Sequence, residues 1–169
     1  MVMAARILVA YTTRKGSTAE VALAIGKELE KTGAMVTVAD MTTVSSLEGY
    51  SAVVIGAPVY AGNVMRDVAA FAARNKNHLV KIPVAGFVTG IAPVYPKTGD
   101  VSGFTRQLAD ALSPVTLVAV TMFAGKLDAG RLSFIERGMT ALLRVPTGDF
   151  RDWDAIAAWA RDLPEKMGI

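Results

Sequence analysis

Short apolar runs alternate with longer segments of helical period from one end of this chain to the other. The first run, Ile7-Leu8-Val9-Ala10-Tyr11, predicts a strand over residues 6–11. Over residues 18–32, Val21, Ala22, Ile25 and Leu29 fall on one face of a helix, and Gly33 stands where a helix stops. Met35-Val36-Thr37-Val38 is rich in β-branched residues and predicts a second strand at 34–39. A third strand follows at 51–56, apolar almost throughout, as strands buried on both faces tend to be. The pattern then gives a helix at 65–77, a strand at 82–89, a helix at 101–112 and a strand at 115–122. Two helices, at 130–143 and 151–167, complete the pattern.

Strands that alternate with helices favour right-handed crossovers and a parallel sheet covered on both faces. The 169 residues contain no internal repeat, low-complexity tract or linker, so one α/β domain over 1–169 is expected. Hydrophobic residues make up 52% and charged residues 20%, a balance that supports a packed core rather than disorder. The loops at 12–18, 57–63 and 89–100 all follow strands, at the sheet edge where open α/β folds take their ligands.

The first of these loops carries the most chemistry. Thr12-Thr13-Arg14-Lys15-Gly16-Ser17-Thr18 lies between a strand and a helix, where free backbone N–H groups and the positive end of the helix dipole meet. Ser and Thr hydroxyls add donors, and Gly16 permits positive φ or a close backbone approach to an anion. That combination suits a phosphate, although the same residue types also make ordinary N-caps and turns. The loop has neither the G-x-x-x-x-G-K-[ST] spacing of nucleoside triphosphatases nor the G-x-G-x-x-G of dinucleotide folds. The phosphate expected is therefore that of a mononucleotide.

Composition removes several alternatives. There is no cysteine, which excludes disulfides, thiol nucleophiles and thiolate-held metals or iron–sulfur clusters. His78 is the single histidine, which excludes a histidine-based metal centre; it sits in a polar helix end, Asn75-Lys76-Asn77-His78. Asp128, Asp149, Asp152 and Asp154 lack the spacing of a metal loop, and Asp149 or Asp152 is expected to cap the last helix. Neither a metal site nor a side-chain catalytic constellation is expected. The net charge of +3 suits an anionic ligand or an anionic membrane surface. Without a dense Lys/Arg stripe or a stacking-aromatic cluster, it gives no nucleic-acid signature. The start, Met1-Val2-Met3-Ala4-Ala5-Arg6, runs directly into the first strand, and no apolar stretch reaches the roughly 20 residues of a membrane span. A soluble, cytoplasmic protein is the expectation.

Gly56-Ala57-Pro58-Val59-Tyr60-Ala61-Gly62 follows the third strand and Phe87-Val88-Thr89-Gly90 ends the fourth. With these and the phosphate loop, the chain resembles flavodoxins over nearly its whole length. The run Tyr11 to Thr18, the Gly-Ala-Pro-Val-Tyr loop and Asp149-Phe150-Arg151-Asp152-Trp153 make it similar to the menaquinone-dependent protoporphyrinogen oxidase branch of the flavodoxin-like proteins. The resemblance implies a flavodoxin-like three-layer sandwich, with a five-stranded parallel sheet of order 2-1-3-4-5 and non-covalently held FMN. It implies that Thr12, Thr13, Gly16, Ser17 and Thr18 hold the FMN phosphate. Arg14 and Lys15 stand where many flavodoxins have uncharged residues, and either reach the ligand or point into water. Pro58, Val59, Tyr60, Ala61 and Gly62 would lie against the isoalloxazine, with Tyr60 offering a face for stacking, unless it is simply a surface tyrosine. Gly62 would let a peptide reorient when the flavin N5 becomes protonated. Thr89, Gly90, Ile91 and Ala92 would bring backbone groups to the pyrimidine edge, and Tyr95 is a candidate cover for the other face. The aromatic-rich segment that the branch carries after strand five is here Phe123-Ala124-Gly125-Lys126-Leu127-Asp128, much poorer in aromatics.

A flavin supplies its own redox chemistry while the protein places it and tunes it. The expected function is thus an FMN-dependent oxidoreductase passing electrons to a quinone or another acceptor, with protoporphyrinogen oxidation as the finer assignment implied by the resemblance. Two alternatives stand beside it. One is an electron carrier with no substrate of its own, serving a redox-protein partner; carriers of that kind commonly have acidic partner surfaces, which the net +3 charge does not match. The other is a flavin-free binding module on the same fold. In the segment 130–143, Leu132, Ile135, Met139, Leu142 and Leu143 share a helical face, with Arg137 and Arg144 opposite. Such a helix either packs on the sheet or lies at an anionic membrane surface or quinone approach. Trp153 and Trp159 are expected in core packing or as interfacial anchors.

Overall fold

The computed structural model describes residues 4–169, so Met1-Val2-Met3 of the reading of the chain start lies outside the described residues. In chain order the elements begin β1 (Arg6–Tyr11), α1 (Ser17–Glu30), β2 (Met35–Asp40), β3 (Ala52–Tyr60), β4 (Asn63–Val64) and α2 (Asp67–Leu79). They continue β5 (Val84–Gly90), α3 (Val101–Leu112), β6 (Leu117–Ala124), β7 (Lys126–Leu127), α4 (Phe134–Leu142), β8 (Gly148–Asp149) and α5 (Trp153–Met167). The five long strands are parallel in the order β2-β1-β3-β5-β6, which is 2-1-3-4-5 when they alone are counted, as expected.

Side-chain alternation along the strands builds two cores. Ile7 and Val9 of β1, Val54 of β3 and Phe87 of β5 face α1 and α5, where Ile25, Leu29, Ile156 and Leu163 close the layer. Leu8, Ile55 and Val88 face the other way, against Phe71 and Leu79 of α2 and Leu108 and Leu112 of α3. Burying each of these large aliphatic or aromatic side chains contributes about 1.5–3 kcal/mol. Gly56 has a packing role: a Cβ there would run into the Phe87 ring, so its lack of a side chain lets Phe87 lie across β3. Phe87 meets Phe123 and Trp159 at centroid distances of 6.1 and 6.2 Å, which places Trp159 in the core.

Three local expectations are corrected. The third strand does not end at Gly56. It continues to Tyr60 and turns back through Ala61 (φ 51°) and Gly62 (φ 78°) into β4. Positive φ at both central residues is the two-residue hairpin turn whose twist matches its strands. The continuous helix over 130–143 is also absent. A short 3-10 turn, Ala129–Arg131, precedes α4, and Ser133 starts the helix by a capping box in which its hydroxyl accepts from the Glu136 N–H and the Glu136 carboxylate accepts from the Ser133 N–H.

The third correction concerns packing. No residue of α4 is buried, so the reading in which this helix packs on the sheet fails; Leu132, which is buried, precedes the helix. The segment instead forms an excursion whose two ends pair as β7 and β8, Lys126 opposite Asp149 and Leu127 opposite Gly148. Among the described residues, no helix is long and apolar enough to cross a membrane.

Candidate functional site

The carboxyl ends of β1, β3 and β5 deliver three loops to one cleft of about 340 Å³. Its walls include Thr13, Arg14, Lys15, Ser17 and Thr18 from the first loop, Pro58, Val59, Tyr60, Ala61 and Gly62 from the hairpin, and Thr89, Gly90, Ile91 and Ala92 after β5. Each group comes from a different crossover, and the sheet order alone brings them together. Of the sixteen residues that the sequence assigns to the three loops' cofactor contacts, the cleft gathers fourteen, all but Thr12 and Gly16.

Gly16 acts through conformation. It precedes α1 at φ 91°, in the left-handed region, and no side chain caps the first-turn N–H groups that follow. Its own N–H donates to Thr13 Oγ1 at 3.0 Å, which holds the turn. Thr12 is buried and donates its hydroxyl to Asp67 Oδ2 at 2.7 Å, so its proton is committed inside the protein. Thr18 and Thr89 share a buried hydroxyl–hydroxyl hydrogen bond of 2.8 Å, tying the first loop to the third.

The two loop cations have defined partners. The Arg14 guanidinium lies 3.6 Å from the centroid of the Tyr60 ring, a cation–π stack. Lys15 Nζ donates to the Arg131 carbonyl at 3.0 Å and to Glu136 Oε1 at 3.2 Å, while Arg131 Nη1 donates back to the Lys15 carbonyl at 2.6 Å. Tyr60 Oη reaches Glu136 Oε2 at 3.5 Å. Glu136 is held at about 2, well below the ordinary carboxyl value, first by the Ser133 backbone N–H and then by the Lys15 ammonium. The hairpin is braced from α3, where the Gln107 side chain accepts from the Val64 N–H at 3.0 Å and donates to the Gly62 carbonyl at 3.4 Å.

The base of the excursion is pinned by Arg151, whose side chain is only 4% exposed. It grips Asp149 through Nε–Oδ1 at 2.9 Å and Nη2–Oδ2 at 2.7 Å, and this pairing lowers the Asp149 carboxyl to about 2. Arg151 also reaches the Ser17 carbonyl at 3.4 Å and Glu20 at 3.3 Å, so one guanidinium joins the last strand pair to the start of α1. Asp152, rather than Asp149, caps the last helix, accepting from the Ala155 N–H at 3.0 Å. Tyr95 does not line the cleft; its hydroxyl donates to the Leu143 carbonyl at 2.9 Å. Among the described residues, no group of His, Asp and Glu side chains could hold a metal ion.

The flavodoxin domain family matches residues 8–154. The chain belongs to that family. A relative of this flavodoxin domain, the protoporphyrinogen IX dehydrogenase [quinone] of Escherichia coli strain K12, is 25% identical over 172 residues that cover 94% of each protein. Among solved structures, the rubredoxin oxygen:oxidoreductase of Desulfovibrio gigas superposes with a TM-score of 0.59 at 15% identity. That match covers 97% of this chain but 37% of the other, so the chain spans little more than a third of that protein. A Fusobacterium nucleatum flavodoxin mutant, solved with flavin mononucleotide bound, gives a TM-score of 0.53 at 16% identity, covering 96% of this chain and 95% of its own. The solved structures share the fold.

The structure adds residues to this flavodoxin domain's site that lay outside the three loops. Leu132, Glu136, Thr140 and Val145, all from the excursion, form a wall of the cleft. One signal was legible in the sequence, the Ser133-x-x-Glu136 capping box, which marks a helix start in the middle of the expected helix. Nothing local announces that Glu136 reaches Lys15, because the contact spans 121 residues of chain.

Proposed function

We propose that this flavodoxin domain holds FMN in the cleft and works as an oxidoreductase that passes electrons to a quinone or another acceptor. The observation that carries the reading is the first loop. Uncapped N–H groups at the start of α1 and the hydroxyls of Thr13, Ser17 and Thr18 stand at one side of a cleft that the Tyr60 hairpin and residues 89–92 continue. An uncapped helix start with hydroxyl donors fits a phosphate ester. The neighbouring walls fit a flat, partly apolar ring system: Tyr60 offers an aromatic face, Leu132, Met122 and Val145 exclude water, and backbone groups of 89–92 supply polar contacts. When bound, the flavin supplies the electron or hydride chemistry. Arg14 occupies one face of Tyr60, so a ring stacking on that face would displace it.

The acceptor class is drawn from the Escherichia coli relative, whose name specifies a quinone. Oxidation of a porphyrinogen, the other half of that name, has less support from the cleft. Phe123, near the carboxyl end of β6, is 7% exposed and packs against Phe87 and Trp159 in the core rather than lining the cleft. A carrier with no substrate of its own is a second reading, favoured by the near-complete mutual coverage with the Fusobacterium nucleatum flavodoxin.

The same reading includes contact with the anionic, cytoplasmic leaflet of a membrane through residues 130–143. Phe134 is 92% exposed, Ile135 77% and Leu142 78%, on a segment whose other face carries Arg137 and Arg144. An exposed apolar face on a segment that also carries arginines suits an interface with anionic lipid, where a membrane quinone would be met.

Flavin absorbance of the purified protein, followed by mass spectrometry of the released cofactor and quinone-reduction kinetics, tests the assignment. Stoichiometric FMN with quinone turnover is expected. Recovery of FAD, or no affinity for FMN on titration, overturns the cofactor. FMN with efficient one-electron exchange to a soluble redox protein and no quinone turnover leaves the carrier reading.

A further inference from the structure

We propose that residues 128–147 are a lid over the cleft and that Glu136 is its latch, a positioning residue that sets how fast a phosphate-bearing ligand enters and leaves. The proposal deepens the FMN reading and rests on it for the choice of ligand.

The excursion is fixed at its ends and lightly held in its middle. At the base, β7 pairs with β8 and the nearly buried Arg151 grips Asp149. Between those ends, Leu132 is the buried apolar anchor, at 6% exposure, and no residue of α4 is buried, Glu136 and Thr140 being half-buried. What ties α4 and its flanks to the rest of the domain is polar: Lys15 with Glu136, Arg131 with the Lys15 carbonyl, Tyr60 with Glu136, and Tyr95 with the Leu143 carbonyl. A segment with few buried apolar contacts opens at much lower cost than the core does. Because Leu132, Glu136, Thr140 and Val145 form a wall of the cleft, opening this segment uncovers the cleft.

Glu136 is the contact that spans the mouth. One carboxylate oxygen meets Lys15 of the phosphate loop and the other meets Tyr60 of the hairpin, so a single side chain ties two cleft loops to α4. Its rotamer is set in advance by the capping box with Ser133. An ammonium has three N–H donors, which lets Lys15 keep Glu136 while also reaching a phosphate held by its own loop. The latch therefore exists with or without ligand and slows passage in both directions.

Glu136→Gln isolates the latch, since Gln also serves in a capping box while losing the charge that holds Lys15. Stopped-flow binding and release of FMN, compared with the unmodified protein at low and high salt, reads the effect. The ion pair is partly exposed and screened by solvent, so both rate constants should rise only about two- to fivefold, with Kd moving less than either. Added salt should speed release more in the unmodified protein than in E136Q, because only the former loses the Lys15–Glu136 pair to screening in addition to the phosphate contacts. Amide hydrogen exchange of the ligand-free proteins gives a second reading, with faster exchange across 128–147 in E136Q and unchanged exchange in β1, β3 and β5. Equal rates at low salt together with unchanged exchange would overturn the latch. If the unmodified protein takes up no FMN, the cofactor assignment falls and exchange alone decides: faster exchange in the lid supports the latch, unchanged exchange removes it.

Discussion

Lys15 and Glu136, 121 residues apart in sequence, meet at 3.2 Å and so join the loop after β1 to helix α4 across the mouth of the cleft. The Glu136 carboxyl titrates at about 2, lowered from an ordinary 4.5, and Asp149 at the base of the same excursion also titrates at about 2, lowered from 3.8 by Arg151. For both groups the folded value lies below the unfolded one. Their stabilising contributions are therefore complete above the ordinary carboxyl range and are lost as pH falls toward 2. Carbon-13 NMR titration should find Glu136 near that low value. Lys15→Met should raise it only part of the way to 4.5, because the larger cause is the Ser133 N–H. A Glu136 that titrates at its ordinary value in the unmodified protein would mean that neither contact persists in solution.

The hydroxyls of the first loop should behave unequally. Ser17→Ala removes a hydroxyl that lines the cleft, and should weaken FMN binding by roughly 1–3 kcal/mol while leaving thermal stability nearly unchanged. Thr18→Ala also deprives the buried Thr89 hydroxyl of its 2.8 Å partner, so it should cost about 1–3 kcal/mol of folding stability as well. Thr13→Ala removes the acceptor for the Gly16 N–H and should loosen the turn, again weakening binding. Isothermal titration and urea denaturation of the three variants separate these effects. Unchanged affinity across all three would make the hydroxyls helix-start residues only.

What was legible in the sequence follows from how local each signal is. The parallel core declares itself in β1 and β3, where nearly every residue is apolar because both faces are covered. Gly33 and the periodicity of Val21, Ile25 and Leu29 set α1 to within two residues. The turn at Ala61-Gly62 is less visible, because Ala at φ 51° lacks the Asn-Gly or Asp-Gly signature of such hairpins. The 130–143 segment misleads for a different reason. Its apolar residues are periodic, yet their period meets no sheet surface, and Ser133 restarts the helix after a 3-10 turn. Periodicity reports that a face is apolar and leaves open what covers it.

Gly56 offers a test of the core that is independent of any ligand. A methyl group there would overlap the Phe87 ring, which is wholly buried between β3 and the α1–α5 layer. Gly56→Ala should therefore destabilise by about 1–3 kcal/mol through overpacking, and Phe87→Leu should partly relieve the clash in the double variant. Chemical denaturation measures all three. Additive effects of the two substitutions would show that the ring does not rest against Gly56.

The exposed face of the lid gives the remaining prediction. Phe134, Ile135, Leu142 and Leu143 stand between 57% and 92% exposed, on a segment that also carries Arg137 and Arg144. Single exposed apolar side chains are common, but several grouped on one short helix mark a contact surface. If the partner is an anionic bilayer, the apolar residues insert and the arginines meet lipid phosphates, so binding needs both. Vesicles containing anionic lipid should retain the protein at low salt and release it as salt rises, whereas neutral vesicles should bind it weakly. Phe134→Ser with Leu142→Ser should abolish retention at any salt, and Arg137→Glu with Arg144→Glu should abolish it on anionic vesicles. FMN affinity should stay within about twofold in both double variants, because none of the four residues lines the cleft. Retention that is indifferent to these four residues would remove the membrane role of the lid. Self-association that the Phe134 and Leu142 substitutions reverse, without any vesicle binding, would assign the face to a second copy of the chain.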